Sequence, residues 1–171
     1  MKFIVTCTHR YLGLDLVLCL EQPFADDLLT VMHRQGLFVA TLLCPGGQDV
    51  PHPRFRRYKS FLMVGSPRQL ELHASRLSFS DSPWIWTARA LLVMRTRDVD
   101  GAHGAVAKVL AASWAVCQVA VVVAVTDGHS ASFFTMAPFA NSSGLCGQTS
   151  VDVLPLGAIP LALAGAVLFL F

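Results

Sequence analysis

The chain has 171 residues, 13 Lys and Arg against 11 Asp and Glu, a formal net charge of +2, and 54% apolar but only 14% charged residues. The length suits one domain, and the apolar excess excludes a disordered chain. The near-neutral balance argues against a nucleic-acid partner, and so sparse a charge implies either a membrane segment or surface that expects a partner.

In chain order, residues 1–22 carry Lys2, but His9, Arg10 and Asp15 interrupt any signal-like apolar run, so no signal peptide is read there. Leu14 to Leu20 reads as a strand. Phe24, Leu28, Leu29 and Met32 repeat at helical spacing and Gly36 closes that helix. Residues 37–44, LFVATLLC, form a second apolar run. The stretch from Gly46 to Arg57 is a loop, and Arg54, Arg56, Arg57 and Lys59 read as a solvated cluster with no aromatic platform beside it. YKSFLMVG, residues 58–65, is the third strand. Ser66, Pro67 and Gln69 then supply an N-cap, a first-turn proline and a capping-box partner for a helix whose buried face is Leu70, Ala74 and Leu77.

The pattern repeats with ARALLVMR, residues 88–95, as a strand and Asp98 or Asp100 as N-cap. A helix follows through Val106, Val109, Leu110, Trp114 and Cys117. VAVVVAV, residues 119–125, is continuously apolar and β-branched, as a strand covered on both faces must be. Asp127-Gly128 is a tight turn, and SFFTMAPF, residues 132–139, is a last extended piece. This alternation predicts an α/β fold: a mostly parallel, doubly wound sheet with flanking helices, Rossmann-like or like one lobe of a periplasmic binding protein. The predicted organisation is an N-terminal segment 1–13, an α/β domain 14–150 and an apolar tail 151–171.

Leu154 to Phe171 holds eighteen residues without a charge, interrupted by Pro155, Gly157, Pro160 and Gly165. Three readings stand side by side: a short membrane span, a cleaved lipid-anchor signal preceded by Ser142-Ser143-Gly144, or a buried terminal segment. Five cysteines, at 7, 19, 44, 117 and 146, show no CxxC pair and no metal-like spacing. Cys146 lies in a polar loop and is the disulfide candidate for an oxidising compartment, with Cys19, Cys44 or Cys117 as partner. In the same loop Asn141-Ser142-Ser143 is a glycosylation sequon.

No active site assembles. Gly128-His129-Ser130 after an apolar strand is the start of a nucleophile elbow, but Ser132 replaces the closing Gly, no histidine follows His129, and Asp152 is the only later acid. Ser130 is read as a turn residue. Gly101 to Gly104 at a helix start, Asp26-Asp27 in a first turn, and Trp84 and Trp86 before a strand all have plainer structural explanations. The expectation is therefore a chain that is not an enzyme, with no catalytic, cofactor-binding or metal residues.

From Trp84 to Cys146 the order of motifs is more specific. Trp84-x-Trp86 is followed by Ala88, Arg89, Leu92 and Val93, a helix bearing Trp114, the strand Val121 to Val123, then Phe134-Thr135-x-x-Pro138-Phe139 and Cys146. This resembles the amino-terminal ectodomain of arthropod chemosensory ionotropic receptors, which are variant ionotropic glutamate receptors. Ala90 departs from the bulky residue usual there. The resemblance implies an extracellular, membrane-associated ectodomain fragment without the ligand-binding domain or pore, packing against other receptor domains or subunits, with no cofactor and an unknown small-molecule ligand. The alternative is a small membrane-anchored α/β ligand-binding protein, with membrane contact through residues 154–171.

Overall fold

A computed structural model describes residues 11–12, 15–20, 25–34, 38–43, 60–76, 88–96, 98, 100–116, 118–127, 129–137 and 152–160. The elements are β1 (Asp15–Leu20), α1 (Ala25–Arg34), β2 (Phe38–Leu43), β3 (Ser60–Gly65), α2 (Pro67–Arg76), β4 (Arg89–Arg95), α3 (His103–Ala115), β5 (Val121–Thr126), β6 (Ser130–Ala137) and β7 (Asp152–Pro160). They form one seven-stranded sheet in the order β2-β1-β3-β4-β5-β6-β7. The first five strands of that order run parallel, and β6 and β7 add antiparallel at one side. The mostly parallel α/β fold expected from the sequence is the fold observed.

The order reverses between β1 and β3. From β1 the chain crosses through α1 to β2 on one side; from β3 it crosses through α2 to β4 and through α3 to β5 on the other. Right-handed crossovers taken in opposite directions place their helices on opposite faces of the sheet, which is what double winding means. On the α2 and α3 face, Leu70, Val106, Val109 and Leu110 pack with Phe61, Met63, Ala90, Leu92, Met94, Val121, Val123 and Val125. The alternate residues Leu62, Leu91, Val93 and Ala124 are equally buried. Strands covered on both faces need this unbroken apolar character, because every side chain leaves water whichever way it points.

The helix starts follow local chemistry. Ser66 donates its backbone N–H and its hydroxyl to Gln69 Oε1 at 2.9 and 2.6 Å, and Leu70 N–H returns to the Ser66 carbonyl at 3.0 Å, so the Gln69 side chain makes its arm of the capping box. At α3 the outcome differs from the expected acidic N-cap. The helix begins after Ala102 with no side-chain cap, while Asp98 Oδ1 accepts the N–H of Gly101 at 2.8 Å and so caps the 3-10 turn Asp100–Ala102 before it. A side chain at Gly101 would run into that Asp98 carboxylate. The glycine lets the two approach.

Two segments outside the predicted domain join it. Tyr11 and Leu12 fasten to the amino ends of the parallel strands: Tyr11 donates its hydroxyl to the Ala120 carbonyl at 3.0 Å, Ser60 donates to Leu12 O at 2.6 Å, and Arg89 donates to Tyr11 O at 3.1 Å. At the other side, Leu154 to Pro160, the first part of the apolar tail, is extended in β7 and paired with β6. Phe133 faces Gly157 and Phe134 faces Pro155, so Leu156 is a bulged extra residue and Gly157 takes φ 128°. Prolines and bulges are tolerated here because β7 is the outer strand. Residues 161–171 lie outside the described residues. Among the described residues, no helix is long and apolar enough to cross a membrane.

Candidate functional site

A parallel sheet presents its loops for binding at the carboxyl ends of the strands, and a reversal of strand order opens a crevice there because the two neighbouring connections leave in opposite directions. In this chain that place lies between β1 and β3. Its described wall is Gly65, Ser66 and the first turn of α2, where Arg68 is exposed. The Ser66 hydroxyl is already spent on Gln69, leaving Arg68 as the free polar group of that wall with a formal charge.

Further along the same rim lies the connection from β5 to β6. Asp127 Oδ1 accepts the backbone N–H of His129 at 2.7 Å and of Ser130 at 2.8 Å, and more weakly the Ser130 hydroxyl at 3.4 Å. Thr126 donates its hydroxyl to the Ser130 carbonyl at 2.7 Å. The N–H of Ser130, with that of His129, holds the exposed Asp127 carboxyl below the usual carboxylate range. All of these bonds shape the turn. Ser130 opens β6, an antiparallel strand, whereas an elbow serine needs a helix behind it to supply oxyanion donors. Ser130 is the first residue of β6, and its bonds to Asp127 and Thr126 close the turn before it.

The remaining sequence candidates do not converge. Asp98 caps a turn, His103 meets the ring of Phe134 edge-on at 6.1 Å, and Asp26 and Asp27 fall in the first turn of α1. No group of three or more His, Cys, Asp or Glu able to hold a metal occurs among the described residues. Trp84, Trp86, Asn141, Cys146 and the Arg54–Lys59 cluster lie outside the described residues. The resemblance residues that are described are sheet and core positions. Ala88, Leu92 and Val93 are buried in or beside β4, Trp114 and Phe134 pack against the core, and Thr135 donates to the Val121 carbonyl at 2.7 Å, pinning β6 to β5.

Sequence reasoning passed over the outer face of β7. Leu154 is 43% and Leu156 37% exposed, and Pro155, Gly157 and Ala158 beside them are exposed too. From Val153 to Pro160 the strand has no charge. Its composition pointed to a membrane or a buried end, and only the sheet order shows it to be an edge.

No protein-family model and no curated protein matches the chain. Among solved structures it is similar to one described as MppP soaked with the product 2-ketoarginine, at 17% identity and a TM-score of 0.41, covering 72% of this chain. The chain spans 35% of that structure's length. That neighbour's description names a product, so the neighbour is an enzyme, and the finding stands against the expectation of a chain that is not one. Similarity of this degree assigns no activity, substrate or cofactor to the present chain.

Proposed function

We propose that the chain is an α/β lobe of an ionotropic-receptor-like ectodomain that docks through the edge strand β7 onto partner domains or subunits, a second copy of the chain included. The observation that carries this reading is the uncharged, exposed run around Leu154 and Leu156 on β7, the outermost of the described strands of the sheet. Contiguous apolar surface of this kind is costly in water and is found where a partner covers it. The ordered motifs from Ala88 to Thr135 support the receptor-like part of the reading. Localisation at the extracellular side of a cell membrane goes with it.

Amide hydrogen exchange tests the docking. The N–H groups of β7 that point away from β6 should gain protection as protein concentration rises, while those of β4 stay unchanged. Protection that is independent of concentration and of added partner domains would remove the proposal.

A second reading rests on a different feature, the reversal of strand order between β1 and β3, which favours ligand binding at their carboxyl ends. Here a small ligand would shift the NMR signals of Gly65 to Gln69 and leave β7 untouched.

A further inference from the structure

Among the described residues, Gln118 is the buried side chain whose polar atoms have no hydrogen-bond partner: it is 0% exposed, and both Oε1 and Nε2 are unpaired. It lies between the end of α3 and the start of β5. Its backbone is fixed, since its N–H donates to the Ser113 carbonyl at 3.0 Å. A carboxamide offers an acceptor and two donors, and leaving it dry is worse than replacing it with an apolar side chain of the same shape. Interiors answer this with ordered water, each molecule bound by about three polar groups.

Two hydroxyls are tied to this stretch through the backbone: Ser113 carries the carbonyl that holds the Gln118 N–H, and Tyr11 binds Ala120, two residues on. Ser113, itself buried, donates to the Val109 carbonyl at 3.0 Å, and Tyr11 donates to the Ala120 carbonyl. We infer that Gln118 binds internal water at the amino ends of the strands, linking the C-terminus of α3 to β5. The water donates to Oε1, accepts from Nε2 and completes its bonds on neighbouring oxygen atoms.

The test replaces Gln118 with Met, close in volume, in the full chain. Water relaxation dispersion should count at least one long-lived water fewer in the variant, and Tm should fall by about 2–4 °C. An unchanged water count, or a higher Tm in Gln118→Met, would overturn the inference. Should that variant fail to fold, high-resolution diffraction from the wild-type chain decides. Ordered water within about 3 Å of Oε1 or Nε2 supports the site, and a dry amide refutes it.

Discussion

Asp127 Oδ1 accepts the backbone N–H of Ser130 at 2.8 Å, and with the N–H of His129 this bond closes the turn between β5 and β6. The Asp127 carboxylate sits between β5 and β6 and is engaged by two backbone N–H groups, whereas a triad acid orients an imidazole.

Replacing Asp127 with Ala should loosen the β5–β6 hairpin at neutral pH. Hydrogen bonds to the charged form lower the folded-state pKa below the unfolded value. The stabilisation is therefore present above about pH 4 and is lost as pH falls through the folded pKa. Urea midpoints of wild type and Asp127→Ala should differ at pH 7 and converge in acid. A gap of the same size at both pH values would show that the carboxylate charge has no part in the turn.

Tyr11 titrates at the opposite end of the pH scale. Burial raises its pKa, against a smaller opposing effect of the Arg89 cation. The folded state keeps the phenolic proton longer than the unfolded chain, so stability falls as pH rises above about 10. Tyr11→Phe loses the bond to Ala120 and should cost about 1 kcal/mol at neutral pH. It should also lose less stability than wild type on alkaline titration, which circular dichroism melts can follow.

Leu92 is buried in β4 within the α2 and α3 core. Leu92→Ala should cost about 2–5 kcal/mol, read as a shift of the urea midpoint without change in slope. An effect below 1 kcal/mol, on the order of a surface substitution, would mean that β4 is not central to the sheet.

Gly157 takes φ 128° beside the bulged Leu156, a backbone region that a residue with a side chain rarely enters. Gly157→Ala should cost about 1–3 kcal/mol although nothing lies within 4 Å of the added carbon. A neutral substitution would show that the bulge relaxes freely.

The layered part of the fold was legible because its physics is local. The apolar, β-branched run VAVVVAV suits a strand covered on both faces, and its later part is strand β5, Val121–Thr126, parallel to β4 and antiparallel to β6, with Val119 exposed ahead of it. Ser66, Pro67 and Gln69 announce α2 in three residues. The edge was not legible. Pro155 and Pro160 argue against a strand everywhere except at the outermost position, and being outermost is a property of sheet order. Asp98 misled for a related reason: its sequence place suits a helix cap, but the intervening 3-10 turn claims its carboxylate. As for the site, Ala88, Leu92, Val93, Trp114 and Thr135 form a recognisable order largely because they build the sheet and its cover. Such residues speak for architecture more than for chemistry.

The central claim is that the β7 edge docks onto a partner, and sedimentation velocity of the full chain tests it most directly. Over a rising concentration series the wild type should self-associate, and Leu154→Lys with Leu156→Lys should return it to a monomer with unchanged circular dichroism and Tm. Equal association of the two proteins would contradict the account, as would a wild-type chain that stays monomeric and binds no partner domain.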